Sequence, residues 1–443
     1  MSQTLPPPPL PPSPPPAGSR SGESTYLKFR NEVLAGGASD QPGAEDDTAG
    51  GPRAVVGLLA IVGLLALIGL WSPWALLFVI GLIISIFLHE VGHFVTARWT
   101  GMKATQFFLF MGPKLWSFRR GETEYGVRLL PVGAFVRIIG MNNLDDVEPA
   151  DEPRAYRNQS YPRRLLVITA GSIMHMLIAF SLLFGLYATK GVQEDTGRVA
   201  ISEVVEGAPA SEAGVEPGDV ILSFDGSTPT SPDEFVQLVQ SHEPGDVVPA
   251  TVERDGQTVD VTIGLGSNPN QGDSFGKAYV GTRSESETTW ERQPVLEAVT
   301  TAGSDLGRGA WESVSGVFKV LNPVNIVQHL TGSSNDPATQ PTTVVGVSRY
   351  SGDLGEQAGV AGIILLLAGV NVFVGLFNLF PMLPFDGGHA AIATYERIRS
   401  RRGRQPYRAD VSKMVPVTMA MFGLLLFLML SGLYLDIVKP IGG

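Results

Sequence analysis

One pattern in this 443-residue chain has the residue types and spacing for hydrolysis: His89-Glu90-Val91-Gly92-His93, set inside an apolar run. Residues four apart share one face of an α-helix, so both imidazoles can reach one metal ion. Glu90 stands about 100° around the helix from His89. It therefore stays off the metal and can take a proton from a water that the metal polarises. The motif is short, but its setting is demanding. Each charged side chain within an apolar span costs on the order of 2–3 kcal/mol. The bland reading pairs these three groups with something else in the fold; a metal site is the sharper one.

Catalytic zinc usually has three protein ligands and one open position. The third ligand is sought in Asn378-Leu-Phe-Pro381-Met-Leu-Pro384-Phe-Asp386-Gly387-Gly388-His389. The prolines and paired glycines predict a helix break there. Irregular backbone is tolerated at membrane depth only where protein or a water cavity covers it. Asp386 is the lone acid of the stretch and the expected ligand. His389 is its competitor, with a satisfied polar role as the alternative.

Such groups need a scaffold within the bilayer, and the composition provides one. The chain is 44% hydrophobic and only 17% charged, against about 25% charged in average soluble domains. It has no cysteine, which excludes disulfide scaffolds and thiolate metal sites. Its net charge of −11 argues against a nucleic-acid partner. Apolar runs at Ala54–Leu70, Ala75–Ala97, Leu165–Ala188, Val360–Phe380 and Val415–Leu435 approach the roughly 20 residues of a bilayer crossing. Trp71-Ser72-Pro73-Trp74 separates the first two. Basic residues collect between spans two and three (Arg98 to Arg164) and between spans four and five (Arg397 to Lys413). The segment between spans three and four is acidic. The positive-inside tendency then places the N-terminus in the cytoplasm and the acidic segment outside.

The remaining segments have distinct signatures. Residues 1–52 are rich in Pro, Gly, Ser and acids, a composition expected to stay disordered. Residues 123–140 are β-branched and aromatic, broken at Pro131 and Gly133, and predict a hairpin. Proteolysis needs an extended peptide, whereas a transmembrane helix ties up its carbonyls internally. A sheet edge at Gly133, Ala134 and Phe135 is the expected substrate-binding element, by strand addition. A hairpin without substrate contact is the alternative. Residues 197–266 alternate strand-like runs with turns at Asp225-Gly226 and Asp255-Gly256, and Pro232–Ser241 predicts an amphipathic helix. Residues 267–293 read as a polar linker. Residues 295–330 read as amphipathic helices, lying on the membrane surface or packed against the preceding domain; Asn322-Pro323 is expected to end one of them.

A membrane His-Glu-x-x-His with a distant Asn378-x-x-Pro381 and Asp386-Gly387-Gly388 resembles the site-2 proteases, the zinc intramembrane metalloproteases, over about residues 75–435. It is most similar to the bacterial RseP-like branch, because Glu206–Ile221 resembles bacterial PDZ domains. The resemblance implies a polytopic α-helical membrane protein of about five transmembrane helices, with a membrane-associated β-hairpin loop and one inserted extracytoplasmic PDZ domain. Its divisions are a tail (1–52), an extra transmembrane helix (53–71), an N-terminal catalytic half (75–188), the PDZ domain (197–266), a linker with amphipathic helices (267–357) and a C-terminal catalytic half (358–437). It implies one catalytic zinc ion on His89, His93 and Asp386, with Glu90 as catalytic acid/base. The implied activity is regulated intramembrane proteolysis of single-span proteins such as anti-sigma factors, after an upstream site-1 type protease, in the cell (inner or plasma) membrane. The chain departs from the family where Phe385 replaces leucine and the second proline, Pro384, comes one place late. Ala170-Gly171-Ser172-Ile-Met-His175 stands where relatives often have Gly-Pro-x-x-Asn. His175 then either bonds the substrate carbonyl or is a buried histidine bonded to a neighbouring helix. Asn378 is expected to bond the substrate. A membrane metal transporter and a catalytically inactive scaffold are the alternative functions.

Overall fold

The computed structural model describes residues 51–141, 145–269, 274–320, 322–333, 339–400 and 407–439. All but the last two residues of the proline-rich tail lie outside them. In chain order the main elements are α1 (Pro52–Trp71), α2 (Pro73–Trp99), β1 (Ala104–Arg120), β2 (Thr123–Ile138), α3 (Tyr161–Thr189), β3 (Val192–Val204), β4 (Val220–Phe224), α4 (Pro232–Gln240), β5 (Val247–Arg254), β6 (Gln257–Gly264), β7 (Thr282–Glu291), α5 (Val295–Val320), α6 (Pro323–Thr331), α7 (Val344–Phe377), α8 (Asp386–Arg399) and α9 (Val415–Val438). They form two compact units, residues 1–183 with 303–443, and residues 184–302.

The first unit carries the apolar helices. Among the described residues, α1, α2, α3, α7 and α9 are long and apolar enough to cross a bilayer. The α1–α2 break falls at the tryptophan pair because Ser72 is extended and its Oγ caps Ala75 N–H at 3.2 Å, with Pro73 opening α2. The expected fourth span coincides with the second part of a longer, kinked helix. Helix α7 begins at Val344, and Gly359, at φ 62°, kinks it beside the expected start at Val360. The polar residues Arg349, Asp353 and Glu356 hid this first part. Apolar burial drives helix association weakly inside a bilayer, so close approach rests on small residues. A side chain at Gly81 would strike Leu367, and one at Gly92 would sit 2.8 Å from the Ala170 carbonyl.

The segment expected to be a hairpin is a more elaborate curl. Strands β1 and β2 pair along their whole length, and each bends on itself. The bends use Phe110 and Gly112 in β1 and Gly133 in β2, all at positive φ. The two arms of β2 do not pair with each other. Gln106–Leu109 of β1 lie between them, facing Glu124–Val127 on one side and Ala134–Arg137 on the other. Ala134–Arg137 is thereby left at an edge. Helix α1 packs on this curl through Ala54 and Ile61 against Phe110 and Leu115.

The second unit is a five-stranded sheet of order β6-β5-β4-β3-β7 with α4 against it. Its core includes Val199, Ile201, Phe224, Phe235, Val252 and Ile263. Asp225-Gly226 and Asp255-Gly256 turn with positive φ at both residues, as their sequence predicts. The expected polar linker 267–293 is corrected here: Thr282–Glu291 is β7, an edge strand paired with β3. Its Thr, Ser and Glu residues are exposed or only partly buried, so ladder hydrogen bonds rather than apolar burial hold it, and no hydrophobic alternation announced it. Helix α5 ends at Val320, just before the Asn322-Pro323 pair that was expected to end a helix, and Asn322 in turn caps the start of α6. Helix α5 keeps Leu296, Trp311 and Phe318 exposed.

Candidate active site

His89 and His93 lie on one buried face of α2. Seen from Trp99, they are two to three turns from the helix end, about 12 Å at 1.5 Å per residue. Asp386 is the first residue of α8. The paired glycines that were expected to break a helix instead begin one, and the break itself is the loop between Phe377 and Asp386. A side chain at Gly387 would strike the Leu379 carbonyl, and one at Gly388 would lie 2.5 Å from Leu383 N. The loop folds tightly because both lack one. Gly387 N–H then donates to the Asn378 carbonyl at 2.7 Å, which sets the carboxylate in place.

The three side chains converge. Asp386 Oδ2 lies 3.4 Å from His89 Nε2 and 3.2 Å from His93 Nε2, and the two Nε2 atoms are 3.1 Å apart. A tetrahedral ion with bonds near 2.05 Å separates its ligand atoms by about 3.3 Å. Two imidazole nitrogens and a carboxylate oxygen at that spacing fit zinc, and no other His, Asp or Glu group among the described residues forms such a cluster. His93 Nδ1–H donates to the Val167 carbonyl at 2.7 Å, so its Nε2 presents a lone pair to the cluster. Glu90 Oε1 is 3.9 Å from His89 Nε2, and Glu90 lines the same cavity as Val136. It is beside the cluster without belonging to it.

A cavity of about 200 Å³ adjoins the cluster, lined by Glu90, His93, Asp386, His389 and the edge residues Ala134–Ile138. Ala134 and Phe135 thus face the site. Gly133, at φ 71°, makes the bend just before them. His389 lines the cavity but is outside the metal cluster. Asn378 ends α7 and contributes its carbonyl to the loop; it is not among the cavity's lining residues. His175 is buried, with its ring 4.9 Å from that of His89 and its Nδ1 bonded to Asn371 Oδ1 at 2.8 Å.

Some participants were not foreseen. A Cβ on Gly171 would lie 2.5 Å from His93 Nε2 and 2.6 Å from His89 Nδ1, so only glycine fits against the two rings. Asn371 links His175 to Ser85 Oγ at 3.1 Å. An amide in the middle of the apolar run Val360–Phe380, away from Asn378 near its end, is the signal that could have found it; Gly171 stands at the glycine of the Gly-Pro-x-x-Asn pattern, but nothing in the sequence gives it this role or singles out the Val167 carbonyl.

A model of peptidase family M50 matches residues 77–426. Zinc metalloprotease Rip1 of Mycobacterium tuberculosis (strain ATCC 25618 / H37Rv) is 34% identical over 397 residues, covering 82% of this chain and 97% of that protein. Rip1 of Mycolicibacterium smegmatis is 31% identical over 401 residues, with the same coverage. Among solved structures, the PDZ domain of an SdrC-like protein from Listeria monocytogenes covers 21% of this chain and 93% of itself, at 24% identity and a TM-score of 0.18. The family match starts in the helix that bears the histidines and ends beyond the helix that bears the aspartate. All the residues brought together at the cavity fall within it, and the chain belongs to peptidase family M50, as a zinc-dependent intramembrane protease.

Proposed function

We propose that His89, His93 and Asp386 hold one zinc ion and that Glu90 is the acid/base for peptide-bond hydrolysis within transmembrane segments. The observation that carries this is the donor triangle of 3.1–3.4 Å with the Glu90 carboxylate beside it. Bound zinc supplies a Lewis acid that polarises a carbonyl and makes a nearby water acidic. Glu90 takes the proton of the attacking water and returns it to the leaving amine. The Glu90 side chain lines the cavity together with Val136 of the β2 edge. Ala134–Arg137 has β1 on one side only, so an unwound substrate segment can add to the other side as a strand. Gly133, Ala134 and Phe135 set that edge, while Asn378, whose carbonyl takes the Gly387 N–H, acts through the loop that places Asp386. The inserted unit, acting as a PDZ module, screens substrates that an upstream site-1 type protease has trimmed.

The substrates are single-span membrane proteins, such as anti-sigma factors, in the cell membrane. Basic residues from Arg98 to Arg164 and from Arg397 to Lys413 support a cytoplasmic face for these loops and for the N-terminus. The acidic inserted unit is then extracytoplasmic, and cleavage lies toward the cytoplasm. The test is Glu90→Gln in purified, reconstituted protein. It should keep zinc and lose cleavage of a model single-span substrate by about 10²-fold or more. Undiminished cleavage by that variant overturns the assignment, and zinc flux through wild-type vesicles would favour a transporter.

A further inference from the structure

His89 and His93 are not treated alike by the structure. The Nδ1–H of His93 has an acceptor, the Val167 carbonyl of α3. The Nδ1 of His89 is buried and has no hydrogen-bond partner among the described residues. If Nε2 is to give its lone pair to zinc, the neutral ring must carry its proton on Nδ1, and a buried N–H without an acceptor costs about 1–3 kcal/mol. The ring beside it belongs to His175, 4.9 Å away between centroids and tilted by 45°.

The tautomer of His175 is fixed by its neighbours. Asn371 Nδ2 donates to both Ser85 Oγ at 3.1 Å and the Leu367 carbonyl at 2.8 Å. Ser85 spends its own proton on the Gly81 carbonyl at 2.9 Å. Both amide protons of Asn371 are therefore used, and its Oδ1 is the acceptor that faces His175 Nδ1 at 2.8 Å. His175 Nδ1 must then be the donor, and a neutral ring protonated there carries a lone pair on Nε2. We infer that a small turn of the two tilted rings, 4.9 Å apart and not bonded as they stand, makes this Nε2 the acceptor for the otherwise unpartnered Nδ1–H of His89. The polar chain Ser85–Asn371–His175 is thus a positioning relay, which leaves α2 one turn before His89, passes through α7 and α3, and fixes ring and tautomer of a zinc ligand on α2 itself. Residues 167, 171 and 175 share one face of α3 at a spacing of four. Along that face Val167 serves His93, Gly171 leaves room for both rings, and His175 serves His89. His175 would then be a residue that holds the metal site rather than one that touches substrate.

The inference rests on the zinc assignment above, and the experiment separates the two. Full-length protein in detergent is titrated with zinc against a competing chelator, and its cobalt-substituted form is examined by visible absorption. His175→Phe keeps an aromatic ring but removes the acceptor; it should weaken zinc binding about 10- to 100-fold and shift the cobalt bands. Asn371→Leu leaves His175 in place but frees its tautomer, and should weaken zinc in the same direction. Asn371→Asp, which keeps an acceptor for His175 Nδ1–H, should bind zinc within about threefold of wild type, a margin of roughly 0.7 kcal/mol. Wild-type zinc affinity in both His175→Phe and Asn371→Leu overturns the inference while leaving the zinc site standing, even if cleavage falls. Failure of the wild type to bind zinc overturns the assignment itself, and the inference with it.

Discussion

Replacing Gly171 with alanine turns an ordinarily favourable change into a damaging one. In a helix interior alanine is preferred over glycine by about 1 kcal/mol. At this position the added methyl would lie 2.5 Å from His93 Nε2 and 2.6 Å from His89 Nδ1, whereas ordinary contact begins at 3.4 Å. Each ring must withdraw by nearly 1 Å, the difference between those distances. Metal–ligand bonds tolerate only about ±0.2 Å, so the three donor atoms can no longer close on one ion. Zinc content of purified Gly171→Ala should fall well below one per chain at chelator concentrations the wild type withstands. Gly185→Ala is the matched control: it lies in the same helix, with nothing within 4 Å of the added carbon. It should retain zinc, with thermal stability equal to or slightly above wild type. Full zinc occupancy and normal cleavage in Gly171→Ala would show that the rings are not wedged against α3, and the packing argument would fail.

Two further outcomes are expected. Val136 lines the cavity with Glu90 on the edge that β1 leaves open, and alternation along a strand puts the Ala134 N–H on the same side as that of Val136, the outward one in the proposed pairing. Ala134→Pro removes that outward donor, one hydrogen bond worth about 0.5–1.5 kcal/mol, so KM for a membrane substrate should rise about 3- to 10-fold with zinc content unchanged; an unaltered KM would refute strand addition there. In the second unit, burial alone would raise the Asp219 carboxyl, but the Arg254 guanidinium and the Glu216 N–H hold it below its ordinary value. A carboxyl lowered on folding stabilises the fold above its unfolded value, about 3.9, and loses that contribution as pH falls through the folded one. Unfolding of that unit should therefore become easier on acidification below about pH 4, and Asp219→Asn should flatten the dependence, measured by thermal melts from about pH 5 downward.

The chemistry was legible because it is expensive. His89, Glu90, His93 and Asp386 declare themselves by interrupting apolar sequence, and the spans and hairpin turns follow from local composition. What escaped was held by pairing and packing rather than by composition. Strand β7 is polar on both faces and stable only through its ladder with β3. The first turns of α7 carry charges that hide a helix continuing into the apolar run. Gly171 is one glycine among 52, and its meaning exists only once α2 lies against α3. The reading of His175 as bonded to a neighbouring helix corresponds to its contact with Asn371.

The distance along the chain between the two catalytic segments has a consequence for biosynthesis. His93 and Asp386 are separated by 293 residues. At a ribosomal pace of about 5–20 residues per second, the carboxylate emerges roughly 15 to 60 s after the imidazoles. During that interval the nascent protein holds its histidines but not the carboxylate that completes the cluster, so on the proposed assignment newly made chains stay inert toward neighbouring membrane proteins. A polypeptide released early would be harmless for the same reason.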